Sequence, residues 1–180
     1  KGSQTNGEKF INQALKKGAC AIISTKKVKG NSKILKTNNI RDLLGKICSK
    51  FYKLKPKNII AVTGTNGKTS VSDYFYQILK NNNIPAGCIG TLGIKYKNKV
   101  IKTDLTTPDI ITIHKNLEQI KNKKIDNVII EASSHGLYQN RLEGLKLKAG
   151  IFTNLSQDHL DYHRSMKKYL NAKLILFKKL

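Results

Sequence analysis

Residues 59–70, which read IIAVTGTNGKTS, combine the residue types that bind phosphate. Four apolar residues run into a turn that ends in Gly-Lys-Thr-Ser, the pattern of a strand, a loop and a helix start. Glycines let backbone N–H groups converge on phosphate oxygens, and the positive end of a helix favours an anion. We expect Lys68 to reach the terminal phosphates of a nucleotide and the hydroxyl of Thr69 or Ser70 to face Mg2+. The whole predicted phosphate-binding set is Gly64, Thr65, Asn66, Gly67, Lys68, Thr69 and Ser70.

The loop is shorter than the common phosphate-binding pattern, because Val62 occupies the position before Gly67 where a further glycine is usual. A chance Gly-Lys-Thr in a lysine-rich chain is the alternative interpretation. The apolar run before the turn and the helical spacing of Val71, Tyr74 and Ile78 after it favour nucleotide binding.

A carboxylate and two histidines follow later apolar runs. Glu131 closes the apolar residues 128–130, where it could hold Mg2+ directly or through water, or cap the next turn. His159 and His163 have the spacing of one helix face, but the chain has no HExxH motif and no defined zinc spacing. We predict that His159 assists Mg2+ or phosphate and that His163 makes a structural hydrogen bond.

Lys173 lies in the middle of the apolar stripe of the last predicted helix, between Tyr169 and Phe177. A lysine in that position must snorkel to solvent, pair with an acid or lose its charge. Chemical conversion is a further alternative, since a carbamylated lysine is an anion with two oxygens suited to Mg2+. The spacing alone favours snorkelling.

Strands alternating with helices predict an α/β fold with a mainly parallel sheet and helices on both faces. Ligands of such sheets bind at the carboxyl ends of the strands, where the phosphate loop, Glu131 and His159 fall. The predicted helices cover residues 8–18, 40–52 and 68–80, and two more begin within 106–109 and near Ser165. Asn38 or Asn39 would cap the second helix, and Pro108 would lie in the first turn of the fourth. The predicted strands are 19–23, 59–62, 86–91, 128–131 and 149–152, with a hairpin of 94–96 and 100–102.

Two parts of unequal size are expected. A charged stretch with Pro56 marks a boundary, so residues 1–55 are predicted to be a partial N-terminal domain and residues 56–180 an incomplete central ATP-binding domain. The chain does not begin with Met, and we expect it to start inside a longer protein.

The net charge of +23 suggests nucleic-acid binding, but the pattern argues against it. Only three of the 34 basic residues are arginines, and the lysines are spread through every segment. No apolar run is long enough for a membrane-spanning helix, and no signal peptide is evident. The three cysteines lie far apart, which favours buried thiols in a reducing cytoplasm.

Four motifs together resemble the Mur ligase family, in the family's order. They are GTNGKT at 64–69, TTPD at 106–109, EASSHGL at 131–137 and FTNLSQDHLDYH at 152–163. The resemblance covers residues 56–180 and implies an ATP-dependent amide ligase of peptidoglycan synthesis that acts as a monomer. It would add meso-diaminopimelate or L-lysine to UDP-MurNAc-L-Ala-D-Glu through an acyl phosphate. Related folylpolyglutamate and cyanophycin synthetases, or a nucleotide-binding module that does not ligate, are the alternatives.

The resemblance also implies residue roles. Lys68, Glu131, His159 and Lys173 would be catalytic, with Lys173 matching the lysine that this family carbamylates. Mg2+ would be held by Thr69, Glu131, His159 and Lys173, and the muramoyl dipeptide by Thr106, Thr107, Ser133, Gln139 and Arg141. The domain that selects the diamino acid would lie beyond Leu180, so the chain alone is expected not to ligate.

Overall fold

The computed structural model describes residues 6–25 and 33–180. They fall into two compact units, Lys1–Leu43 and Leu44–Leu180. This division lies within a helix, Ile40–Phe51, whereas the sequence predicts a boundary near Pro56, which stays a prediction.

The first unit contains a short helix α1 (Ile11–Lys16), preceded by a 3₁₀ turn (Gly7–Phe10), and two parallel strands, β1 (Ile22–Ser24) and β2 (Ile34–Lys36). The strand predicted to begin at residue 19 begins only at Ile22, and Cys20 is exposed. The reason is the end of α1. Gly18 has a φ of +88°, and the Ala19 N–H donates to Ala14 O, so a Schellman-type cap uses the residues expected to be extended.

The helix that contains the division, α2 (Ile40–Phe51), matches the prediction for residues 40–52 closely. Asn39 precedes it, and its Oδ1 accepts from the Asp42 N–H at 3.1 Å. Of the two predicted capping residues, Asn39 is therefore the one that caps the helix.

A six-stranded sheet forms the centre of the second unit. Four strands are parallel and adjacent in the order β4, β7, β3, β8; an antiparallel hairpin of β5 and β6 extends the β4 edge. The predicted mainly parallel α/β fold is confirmed. The strands are β3 (Asn58–Thr63), β4 (Ala86–Gly90), β5 (Gly93–Tyr96), β6 (Lys99–Ile101), β7 (Asn127–Glu131) and β8 (Ala149–Phe152).

The register of the central strands decides where the site forms. Val62 of β3 pairs with Glu131 of β7 on one side and with Ile151 of β8 on the other. Because these strands are parallel, the residues that follow each of them emerge at the same edge of the sheet.

Five helices accompany this sheet: α3 (Lys68–Asn81), α4 (Ile110–Asn122), α5 (Ser134–Tyr138), α6 (Leu160–His163) and α7 (Met166–Leu174), followed by a 3₁₀ turn (Phe177–Lys179). The predicted start of α4 needs a correction. Asp109 caps the helix by accepting from the N–H groups of Ile111 and Thr112, so Pro108 precedes the cap and is not in the first turn. None of the helices in the described residues is long and apolar enough to cross a membrane.

The central strands of the sheet are buried on both faces. Val128 and Ile130 of β7 point to the face covered by α4, where Leu117 is also fully buried. Ile129 points to the opposite face, which α3 covers with side chains that include Tyr76. Because β3 and β7 are packed on both faces, the residues at their carboxyl ends have little freedom to move.

A buried histidine in the core predicts how stability depends on pH. His114 is fully buried; its Nε2 lies 2.9 Å from Glu143 O, and its Nδ1 has no partner among the described residues. Burial lowers its pKa, an effect that the Glu143 carbonyl opposes and Lys55 reinforces. Because the folded state binds the proton more weakly than the unfolded state does, stability should fall as the pH drops below 6.5.

We expect a lower free energy of unfolding at pH 5.5 than at pH 7.5, by at most about 1.4 kcal/mol from His114, because pH 5.5 lies one unit below the ordinary value of 6.5. The His114→Gln variant should show a smaller pH difference than the wild type. Carboxylates with lowered pKa, such as that of Asp109, lose their stabilisation only near and below 3.8. His135 and His163 also have lowered pKa values, but they are present in both proteins, so the difference between the proteins reports on His114. An equal pH dependence in both proteins would contradict the role of His114.

Candidate active site

The predicted phosphate loop lies between β3 and α3, and its glycines are required by its backbone. Gly64 and Gly67 have φ values of +151° and +83°. A Cβ on Gly64 would lie 1.8 Å from the Thr153 Oγ1. The loop after β8 braces this turn, since Asn154 Oδ1 accepts from the Asn66 N–H at 3.0 Å and Thr153 Oγ1 donates to Asn66 O at 2.6 Å. The loop after β8 therefore holds the turn in place, and Thr153 lies too close to Gly64 for any side chain there.

Lys68 begins α3, and its ammonium folds back over the loop. Its Nζ donates to Gly64 O at 2.9 Å and to Thr65 O at 2.8 Å. Burial lowers its pKa, while the carboxylates of Glu131 and Asp158 raise it. The lysine thus lies between a phosphate-type loop and two acidic side chains.

Glu131, at the end of β7, is 1% exposed, and hydroxyl and amide groups surround its carboxylate. Its Oε2 accepts from Thr69 Oγ1 at 2.8 Å and from Thr91 Oγ1 at 3.1 Å, and its Oε1 accepts from the Thr91 N–H at 3.0 Å. No lysine, arginine or histidine forms an ion pair with it among the described residues. A buried carboxylate beside a hydroxyl, with no basic side chain in ion-pair contact, is a donor set that suits a hard divalent cation.

Thr91 is a site residue that the sequence reasoning missed. It follows β4, which neighbours β7 in the sheet, and Thr106 Oγ1 lies 3.1 Å from its hydroxyl. Its signal in the sequence is its place directly after a buried strand, but the strand order is needed to bring it beside Glu131.

Gly90 makes room for the Glu131 carboxylate, which leads to a prediction. A Cβ at Gly90 would lie 2.0 Å from Glu131 Oε1, whereas a Cβ at Gly87 of the same strand would meet only side-chain methyl groups, at 3.3 Å. Gly90→Ala should lower the free energy of unfolding by about 1–3 kcal/mol and displace the carboxylate. Denaturant unfolding of Gly90→Ala and of the control Gly87→Ala measures this; equal stabilities would contradict it.

The predicted substrate residues lie next to this carboxylate. Thr107 Oγ1 donates to the backbone oxygen of Glu131 at 2.7 Å and accepts from the Ser133 N–H at 2.9 Å. Ser133 also caps α5, because its Oγ accepts from the Gly136 N–H at 3.1 Å. Thr107 and Ser133 therefore tie the start of α4 to the end of β7.

The remaining predicted substrate residues, Gln139 and Arg141, continue this network. Arg141 Nη1 donates to Thr107 O, and its Nε and Nη2 donate to Gln139 Oε1 at 3.2 and 2.7 Å. Gln139 Nε2 in turn donates to the Tyr162 hydroxyl at 3.2 Å. Hydrogen bonds thus connect all five predicted substrate residues to Glu131, through Thr107 for four of them and through Thr91 for Thr106.

The two histidines behave differently. His163 is buried, with Nε2 3.0 Å from Ser134 Oγ, as expected of a structural histidine. His159 is half-exposed at the start of α6 with a φ of +52°, and its ring meets His135 edge-on at 4.7 Å. Burial lowers the pKa of His135 and of His163, and neighbouring rings lower both further, so these two are neutral at pH 7.

Lys173 does not snorkel, contrary to what its spacing favours. It is 1% exposed, and its Nζ lies 4.3 Å from the centre of the Tyr169 ring. It makes no hydrogen bond or ion pair within the described residues. Burial first, and then the Lys68 ammonium, lower its pKa to about 8, against the opposing effect of Asp158.

The four predicted metal ligands are only partly brought together. Thr69 and Glu131 are in contact, whereas His159 and Lys173 make no hydrogen bond with either in the described residues. No group of three or more His, Cys, Asp or Glu side chains that could hold a metal is found in that part of the chain. Of the four, Thr69 and Glu131 are the two that the structure places in direct contact.

Comparison with known proteins points to one family. Residues 62–180 match the model of the Mur ligase middle domain. The chain is 41% identical, over 99% of its length, to the UDP-N-acetylmuramoyl-L-alanyl-D-glutamate–2,6-diaminopimelate ligase of Bradyrhizobium diazoefficiens, and 43% identical, over 96%, to that of Rickettsia bellii. It spans 37% of the length of each of these curated relatives.

Solved structures agree. A structure of a UDP-N-acetylmuramoyl-L-alanyl-D-glutamate–2,6-diaminopimelate ligase superposes with a TM-score of 0.83 at 32% identity, over 95% of this chain and 35% of that one. The MurF ligase of Thermotoga maritima in complex with ADP has a TM-score of 0.60 at 21% identity, over 99% of this chain and 39% of that one. The second likeness shows the fold alone.

Proposed function

Because this chain belongs to the Mur ligase family, we propose that it is part of an ATP-dependent ligase that adds a diamino acid to UDP-MurNAc-L-Ala-D-Glu in peptidoglycan synthesis. The observation that carries the proposal is the position of Glu131. Its carboxylate contacts Thr69 of the phosphate loop, and its backbone oxygen contacts Thr107 of the substrate network. Relatives named as 2,6-diaminopimelate ligases favour diaminopimelate over L-lysine.

The chemistry explains the need for ATP. A carboxylate is a poor electrophile, so the γ-phosphoryl group is first transferred to the D-Glu carboxylate, giving an acyl phosphate and ADP. The amine of the diamino acid then attacks the acyl carbon, loses a proton, and inorganic phosphate leaves as the amide forms. The protein contributes positioning and charge neutralisation.

The phosphate side of the site is assigned to the loop of residues 64–70. Its backbone N–H groups and Lys68 hold the phosphates, and Thr69 and Glu131 fit Mg2+. Mg2+ bound there would offset negative charge on the transferred phosphoryl group. His159 and a carbamylated Lys173 are proposed as further ligands.

The substrate side is assigned to Thr106, Thr107, Ser133, Gln139 and Arg141. A guanidinium binds carboxylate or phosphate oxygens through two parallel hydrogen bonds, so Arg141 suits an anionic group of the muramoyl substrate. We propose that residues 1–55 belong to an N-terminal domain, residues 56–180 to a central domain, and that the whole protein works as a monomer in the cytoplasm, without nucleic acid or membrane.

Phosphate release by the complete protein tests this proposal. Release should require ATP, Mg2+, UDP-MurNAc-L-Ala-D-Glu and a diamino acid together, with meso-diaminopimelate and L-lysine supplied in separate reactions. Glu131→Gln, which keeps the shape and removes the charge, serves as the inactive control. Release that does not depend on the muramoyl substrate would overturn the ligase and favour a nucleotide-binding module that does not ligate.

A further inference from the structure

A chain of hydrogen bonds crosses the site from α6 to the start of α4. The Tyr162 hydroxyl accepts from Gln139 Nε2, Gln139 Oε1 accepts from two nitrogens of Arg141, and Arg141 donates to Thr107 O. The amide of Gln139 has one orientation that satisfies both neighbours, with its nitrogen toward Tyr162 and its oxygen toward Arg141. A tyrosine on another helix is therefore joined to the guanidinium through a single amide.

Tyr162 is itself held firmly by aromatic packing. Its ring lies 4.1 Å from that of His135, 4.9 Å from that of His163 and 5.8 Å from that of Tyr138. His135 in turn touches His159. A ring enclosed in this way presents its hydroxyl at a fixed point, which a flexible polar side chain would not do.

We propose that Tyr162 is a positioning residue, acting through Gln139 to aim Arg141 at an anionic group of the muramoyl substrate. This inference rests on the proposed function and deepens it. A guanidinium recognises carboxylate or phosphate as a planar fork, so its binding strength depends on the plane in which it is held. Loss of the hydroxyl leaves Gln139 Nε2 without its acceptor, so the amide and the guanidinium that donates to its oxygen are held less tightly.

The closest matched pair of variants is Tyr162→Phe and Tyr138→Phe. Both keep the ring in the same aromatic cluster and remove one hydroxyl. Tyr138→Phe is the control, because Tyr138 is 58% exposed and its hydroxyl makes no hydrogen bond within the described residues.

In the complete protein, Tyr162→Phe should raise the KM for UDP-MurNAc-L-Ala-D-Glu about three- to tenfold, the effect of one lost hydrogen bond in a positioned network. Its kcat and its KM for ATP should stay within about twofold of the wild type, and Tyr138→Phe should match the wild type in all three. Tyr162→Phe should add little to Gln139→Ala in a double variant, since both act through one chain.

Three results would overturn the inference. In the first, Tyr162→Phe has the same kinetic constants as Tyr138→Phe. In the second, Tyr162→Phe lowers kcat and raises both KM values by similar factors. In the third, its effect on KM adds fully to that of Gln139→Ala in the double variant. If the wild-type protein itself releases no phosphate in response to the muramoyl substrate, the proposed function fails and the inference fails with it. An active wild type beside an unaffected Tyr162→Phe isolates the failure to Tyr162.

Discussion

Lys68→Ala is expected to lower kcat for ATP-dependent phosphate release about 10²- to 10³-fold, the scale on which a preorganised charge stabilises a transition state. The ammonium is already oriented by the carbonyl oxygens of Gly64 and Thr65, so little reorganisation is needed when it meets the transferred phosphoryl group. Alanine removes this positive charge from the phosphate loop.

Two controls sharpen this result. Lys80→Ala, an exposed lysine in the last turn of α3, should leave kcat unchanged. Lys68→Arg should not restore activity, because a planar guanidinium cannot take the place of a compact ammonium held by two carbonyls of its own loop. A Lys68→Ala protein that retains more than about a tenth of the wild-type kcat while remaining folded would contradict the role of the loop.

Lys173→Ala should lower acyl phosphate formation at least about 10²-fold, with partial rescue by a small carboxylate such as acetate. Its pKa of about 8 leaves much more free amine at neutral pH than an ordinary lysine has. The free amine can attack CO2, forming an N–C bond and releasing a proton, and the product is a buried anion near Lys68. This carbamate would relieve the burial of an unpaired ammonium.

Labelled bicarbonate tests the modification separately from activity. With ¹³C-bicarbonate, the wild-type protein should show one carbamate carbon in its NMR spectrum, and Lys173→Ala should lose it. Lys167→Ala, which changes an exposed lysine of the same helix, should keep both the signal and the activity. An unmodified wild type with full activity would remove the carbamate from the proposal.

The hydrophobic pattern of the sequence predicts the fold correctly where the apolar segments are long. The apolar runs at 59–62, 128–131 and 149–152 predict parallel strands, and each lies in the sheet as expected. The first two are central strands buried on both faces, which requires a continuous apolar run. The phosphate loop was equally readable, since its glycines are required by the backbone itself.

The sequence does not predict the shorter elements or the contacts between distant residues. The helices α5 and α6 have five and four residues, too few to show a 3.6-residue period. Tyr162 and Thr91 join the site through neighbours 23 and 40 residues away, and only the folded chain brings such pairs together. The burial of Lys173 depends in the same way on packing around α7, which its spacing did not reveal.

Transfer of oxygen from the substrate to phosphate tests the proposed mechanism most directly. UDP-MurNAc-L-Ala-D-Glu labelled with ¹⁸O in the D-Glu carboxylate is incubated with the complete protein, ATP, Mg2+ and diaminopimelate, and the released phosphate is analysed by mass spectrometry. An acyl phosphate places one substrate oxygen in each phosphate, so singly labelled phosphate is the predicted result. Unlabelled phosphate would mean that water, not the D-Glu carboxylate, receives the phosphoryl group, and would contradict the ligase mechanism.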